Sequence, residues 1–280
     1  MFPVLRGQAH TADILYHYTD MHGLLGIAKS KCLWATDYRY LNDSSEGSDV
    51  FRDAISLKNS LSLSEFGRKT EFEGELSNLY GISRDRAGGA PSQPHYIFSL
   101  SEKDDQLSQW RAYGRGGYGF AVGFDRAALE TTVATLPGAS LGACRYGGTR
   151  DIESKVRECV DAAAREYGAS ERYVAAGMAS ATCFYRWALF YKNEKFDEER
   201  EWRVVVSSGS PEIHYREGTS MLVPYVKLPG GQTQLDLSSL IADIVVGPCP
   251  HPELARKAVV GTTGLSSTRV RSSTIPYRSW

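Results

Sequence analysis

No stretch of this sequence approaches the roughly 20 consecutive apolar residues that cross a bilayer. Met1–Gly7 carries no basic segment leading into an apolar one. Neither a membrane span nor a cleavable leader is expected, and the chain reads as cytoplasmic, or as exported without such a leader. Cysteine is scarce and scattered: Cys32, Cys144, Cys159, Cys183 and Cys249 stand singly, with no CxxC pair. They read as isolated core or surface thiols, not as a disulfide framework or a zinc site. Six histidines without an HExxH motif leave no metal to expect. Positive charge is not in excess, with Lys plus Arg at 32 against Asp plus Glu at 33, so composition announces neither a polyanionic partner nor an anionic membrane. There is no GxSxG elbow for a serine hydrolase. The glycines at Gly114, Gly116, Gly117 and Gly119 precede a strand-like segment, which is the wrong context for a dinucleotide loop.

What is present suits a folded α/β chain. Apolar residues make up 42 % and charged residues 23 %, enough for one core, and residues 1–280 are expected to form a single domain. Ile14–Thr19 is β-branched and aromatic and reads as a strand, followed by Asp20 as the cap of a helix carrying Leu24, Leu25 and Ile27. Further strands are expected at Cys32–Thr36, Tyr96–Ser101, Gly117–Phe124, Glu201–Val206, Met221–Leu228, Ile241–Val246 and Arg269–Arg278. Helices are expected from Asn42 through Ile55, at Asp104–Tyr113, over about 151–195 and at Glu253–Val260. Residues 61–94, rich in Ser, Glu, Gly and Arg, read as a mobile insertion.

Several side chains stand out chemically. In the first strand His17 and Thr19 share one face, and Tyr16 and Tyr18 the other. Glu201 opens an otherwise apolar strand, so it either pairs with Arg203 at the surface or sits in a hydrogen-bonded site. Asn42, Asp43 and Glu46 stand where helix-capping and first-turn groups belong. Ser99 and Ser101 share one strand face, and the charge run Glu198–Arg200 reads as solvated.

Taken together, Leu15-Tyr16-His17-Tyr18-Thr19, Leu33-Trp34-Ala35-Thr36, Leu41-Asn42-Asp43 with Glu46, Phe98-Ser99-Leu100-Ser101, Gln109–Gly114, Gly119–Phe124, Lys192 to Glu201-Trp202-Arg203, Val246-Gly247-Pro248 and Ile275–Arg278 resemble the domain-of-unknown-function 2971 family of bacterial proteins. That family in turn resembles a distant branch of the ADP-ribosyltransferase fold. The resemblance implies an α+β fold of packed, mostly antiparallel sheets with peripheral helices. It implies an NAD-dependent transfer of ADP-ribose to a macromolecule, nucleic acid or protein, in a toxin, phage-defence or effector role. NAD hydrolysis and a non-catalytic nucleotide- or protein-binding module are the alternatives. On this reading Glu201 and His17 are the catalytic pair, and His17, Tyr18, Thr19, Asn42, Glu46, Ser99, Trp110 and Tyr113 border NAD. No single tyrosine is marked for the middle position, for which Tyr38, Tyr40 and Tyr113 compete. Arg111 or Arg203 is offered for the pyrophosphate or, equally, for a structural ion pair, and Trp34, Trp110 and Tyr113 for stacking on nicotinamide or adenine, with core packing expected of at least one of them. Nicotinamide–ribose cleavage builds positive charge on the sugar, which a carboxylate beside it stabilises.

Overall fold

Asp20 starts the first helix as the sequence suggests: its carboxylate accepts from the Gly23 amide at 2.9 Å, one turn in. In the computed structural model, which describes residues 12–41, 50, 95–114, 118–167, 173–207, 212–218 and 220–277, the chain begins with β1 (Ile14–Thr19), α1 (Met21–Ser30) and β2 (Leu33–Asp37). β3 (Tyr96–Ser101), α2 (Leu107–Tyr113) and β4 (Phe120–Asp125) follow. Then come α3 (Arg126–Ala134), β5 (Ala139–Ala143), β6 (Arg145–Gly147), α4 (Thr149–Tyr167), α5 (Tyr173–Ala188) and β7 (Tyr191–Asn193). β8 (Glu201–Val206), β9 (His214–Glu217), β10 (Leu222–Leu228), α6 (Leu237–Leu240), β11 (Ile241–Val246), α7 (Pro252–Thr263) and β12 (Val270–Ser272) complete it. The expected insertion at 61–94 lies outside the described residues.

The chain divides into two compact units, where the sequence reads as one domain: residues 1–37, 96–143 and 198–280 form the first, 38–95 and 144–197 the second. In the first, a mixed and mostly antiparallel sheet runs β12-β11-β4-β1-β3-β2-β10-β9, with β8 on the other edge of β3 and β5 beyond β8. Among the described residues of this sheet only β11 and β12 are parallel. β3 is the branch point. Along one edge it pairs with β1 at Ser101 and with β2 at Ile97 and Tyr96, so the two partners part between these points; along the other edge it pairs with β8 throughout.

Strand alternation makes two distinct faces. Leu15, Val122, Phe124, Phe98, Leu100, Trp202, Val204, Ala35 and Val226 are buried in one apolar core, to which α1, α3 and α7 add Leu24, Ile27, Leu129 and Val259. The opposite face is covered over β1 and β4 by α2, whose Trp110 is fully buried against Tyr16, Tyr18, Ala121 and Val245. Both strand pairs from which the second unit springs are antiparallel. Asp37 is the cross-strand partner of Tyr96, and Ala143 that of Trp202.

The second unit holds a parallel pair, β6 with β7, and the helices α4 and α5. Ile152, Val156 and Cys159 are buried at helical spacing on α4. The solitary-thiol reading needs correcting here: Cys159 on α4 and Cys183 on α5 form a disulfide, their Cα atoms 5.8 Å apart. Sequence separation concealed the pair, because the packing of two helices brings positions 24 residues apart together. No helix among the described residues is long and apolar enough to cross a membrane.

Candidate functional site

Glu201 is set by the backbone before it. Arg200 takes a left-handed φ of 44°, a conformation that carries strain in a residue with a Cβ and so needs support from its surroundings. That support is local. The Glu102 amide donates to the Arg200 carbonyl at 3.1 Å, the Ser101 hydroxyl to the Glu199 carbonyl at 2.7 Å, and the Gln106 side-chain amide to the Glu198 carbonyl at 3.1 Å. The turn after β3 thereby grips residues 198–200, and the chain bends so that Glu201 enters β8 opposite Ser101.

Both sequence readings of Glu201 contribute to what is found. It pairs with Arg203, Nε to Oε1 at 2.9 Å and Nη2 to Oε2 at 3.1 Å, but the pair is buried, with side chains only 7 % and 5 % exposed. A two-point guanidinium–carboxylate contact fixes the plane of the carboxylate. Its partners on the same sheet face are Ser101, directly opposite, and Ser99, opposite Arg203. Tyr16 faces Ser101 from the other side, so Tyr16, Ser101 and Glu201 form one row across β1, β3 and β8.

His17 lies on the other face. Its ring stacks on Phe98 with centroids 4.1 Å apart, and Nδ1 donates to the Ser99 carbonyl at 2.8 Å, at the place where β1 and β2 part from β3. Burial pushes its pKa down to about 4, and the charge of Arg216 adds to the fall. The neutral ring with Nδ1–H leaves Nε2 as an acceptor. The expectation that His17 and Glu201 project into one cleft is therefore not met. Odd and even positions of paired strands point opposite ways, and His17 is one residue out of step with the Tyr16–Ser101–Glu201 row.

The other predicted positions separate similarly. Tyr18 is on the Glu201 face, but its hydroxyl donates to the Lys103 carbonyl at 2.9 Å and accepts from the Gln106 amide at 3.1 Å, which makes it a strut. Trp110, offered for stacking or for the core, is fully buried, edge-on to Tyr18, with Nε1 donating to Asp105 at 2.8 Å. Tyr113 packs at the margin of the same cluster. Thr19 sits under α1, where a Cβ on Gly23 would strike its hydroxyl. Trp34 stacks on Tyr225 and donates to Ser30. Arg111 lies over the Tyr277 ring. Tyr38 and Tyr40 fall in the second unit, and Asn42 and Glu46 lie outside the described residues. A cavity of about 490 Å³ opens on the core side, against Leu24, Ile27, Val122 and Ile241, with Lys31 and Asp236 among its lining. Among the described residues, none of the predicted ones lines it.

Sequence reasoning missed Arg216. On β9 it reaches across β10 to donate to the Thr36 hydroxyl at 3.1 Å. The signal was faint, a short alternating run from His214 to Glu217 that is only four residues long.

Fold and site define an α+β protein whose branched, mostly antiparallel sheet carries a buried carboxylate–guanidinium pair on a serine-lined face. Residues 109–204 match the family model described as a protein of unknown function, DUF2971, so the family read from the sequence is found over that segment. The segment runs from α2 into β8 and includes Glu201 and Arg203. No curated protein and no solved structure matches the chain.

Proposed function

We propose that the protein cleaves the nicotinamide–ribose bond of NAD and transfers ADP-ribose to a macromolecular acceptor, with Glu201 as the carboxylate beside the ribose. The observation that carries this reading is the buried Glu201, paired at two points with Arg203 and aligned with Ser101 at the head of β8. As the bond to nicotinamide breaks, positive charge grows on the ribose, and an oriented carboxylate in a site shielded from water stabilises it. Glu201 also accepts from the ribose 2′-hydroxyl and orients the acceptor. His17 enters as a positioning residue that fixes the edge of β3 from behind. When water is the acceptor the same chemistry is NAD hydrolysis.

The two-point clamp also favours a second reading, a non-catalytic nucleotide-binding module, because Arg203 engages both carboxylate oxygens. One experiment separates them. Full-length protein is incubated with NAD and nicotinamide release is followed, then with labelled NAD and a lysate digested separately by nuclease and protease. Glu201→Asp keeps the charge for Arg203 but withdraws the carboxylate by about 1 Å, which is expected to lower turnover about 100-fold in a protein that stays folded. Glu201→Gln removes the charge that meets two of the buried Arg203 donors and is expected to lower stability besides activity. Wild-type protein that neither releases nicotinamide nor labels any acceptor overturns the transferase reading.

A further inference from the structure

The two arginines that the sequence offered for the pyrophosphate are engaged elsewhere, Arg203 with Glu201 and Arg111 with the Tyr277 ring. Arg216 is placed differently. Val223 is its cross-strand partner, and Tyr225, two residues on, is the partner of Thr36, which in turn faces Ile97 of β3. Partnered residues share a face, so Arg216, Thr36, Ser99, Ser101 and Glu201 all belong to the same side of the sheet.

Among the described residues the guanidinium of the exposed Arg216 makes one hydrogen bond, to the buried Thr36 hydroxyl at 3.1 Å. A guanidinium carries five N–H donors, and no carboxylate among the described residues lies within ion-pair distance of this one. Its charge is partly desolvated, which pulls its pKa down, while Asp20 at the start of α1 pulls it back up. Its charge is felt by His17 at the split between β1 and β2, which burial keeps neutral. This face of the sheet thus presents an exposed, planar cation oriented by its hydrogen bond to Thr36. An anion with several acceptor oxygens is its natural complement.

We propose that Arg216, oriented by Thr36, is the residue that binds the phosphates of the nucleotide. This rests on the reading of Glu201 given above and extends it to the other end of the ligand. Thr36 and Glu201 are separated by two strand spacings and four residues, roughly 16 Å at the backbone. Long side chains narrow that gap from both ends, and a dinucleotide, with a ribose on each side of its phosphates, bridges it.

The test uses the full chain with three probes in calorimetry: NAD, ADP, which has phosphates but no nicotinamide, and adenosine, which has neither. Arg216→Ala is expected to weaken ADP and NAD binding by roughly 10-fold to 100-fold, the worth of a charge-assisted hydrogen-bond pair, and to leave adenosine unchanged. Arg216→Lys retains the charge without the planar donor set, and Thr36→Val removes the orienting hydroxyl; each is expected to fall between wild type and Arg216→Ala. These two milder variants keep the test valid if Arg216→Ala melts early. Wild-type ADP affinity in folded Arg216→Ala, or no ADP binding by the wild type, overturns the proposal. If ADP binding depends on Arg216 but NAD releases no nicotinamide, the phosphate site stands and the transferase reading falls. If nicotinamide is released and Arg216→Ala keeps its kcat/KM, the reverse holds.

Discussion

His17 is held neutral by burial, its pKa pushed from 6.5 down to about 4, and this gives it a stability signature. The unfolded chain takes up a proton here as pH falls through 6.5, whereas the folded protein does not until near pH 4. The contribution is therefore complete above pH 6.5, is lost progressively between 6.5 and 4, and stays lost below that. Chemical-denaturation curves of wild type and His17→Asn, which keeps a donor for Ser99 but cannot titrate, are expected to diverge by about 1–3 kcal/mol between pH 7 and pH 4.5, the wild type losing more. Parallel curves would show that the ring is not desolvated. How legible these residues were differs case by case. The conflict over Glu201 was visible in sequence because a carboxylate at the head of an apolar strand is costly unless paired. Its depth was not visible, since Arg203 two residues on satisfies an exposed or a buried carboxylate equally well. The opposition of His17 to the Tyr16 row was legible as alternation, but which row continued into Ser101 and Glu201 needed the cross-strand register. Arg216 was beyond reach for the same reason.

Helix α1 shows how an element's intrinsic preferences are overruled by what it packs on. Alanine normally outranks glycine inside a helix by about 1 kcal/mol. At Gly26, however, an added Cβ would run into the Trp34 indole, which is fixed by its bond to Ser30 and its stack on Tyr225. Gly261 on α7 has open space around it. Gly26→Ala is therefore expected to lower stability by about 1–3 kcal/mol through overpacking, and Gly261→Ala to raise it by about 0.5–1 kcal/mol. Thermal melts of the two variants on one preparation check the opposite signs. Elements with their own start signal and a clear period, such as β1, α1, β3 and α2, could be read in advance. α3 could not, because it follows β4 without a break: Asp125 ends the strand and also caps the helix, accepting from the Ala128 amide at 2.8 Å. The expected helical region at 151–195 is two helices and the short β7, and the expected strand from Arg269 shrinks to Val270–Ser272. In the last case the chain instead turns to bind Asp105 through Ser273 and Thr274.

At the scale of the whole molecule, the second unit carries a cross-link of its own. Cys159 and Cys183 close a loop with a sequence separation of 24 between two packed helices. Loop-closure entropy assigns such a bond about 3 kcal/mol. Reductant is expected to lower the melting temperature of the wild type and to leave a Cys159→Ala, Cys183→Ala double variant unmoved. Mass spectrometry after alkylation confirms whether the two thiols were bonded. Division into two units was hidden from a linear reading, because each unit is assembled from separated stretches of chain.

The manner of that assembly has a further consequence. Residues 38–95 leave the sheet at Asp37 and return at its direct partner Tyr96; residues 144–197 leave after Ala143 and re-enter just before Trp202, its partner. Topologically, each excursion hangs from the end of an ordinary hairpin. Strand registry is settled within the sheet, and doubling the length of a flexible connection costs only about 0.6 kcal/mol in closure entropy. The second unit is thus the part of this architecture most free to lengthen, shrink or be exchanged over evolutionary time, while the row that carries Glu201 keeps its frame.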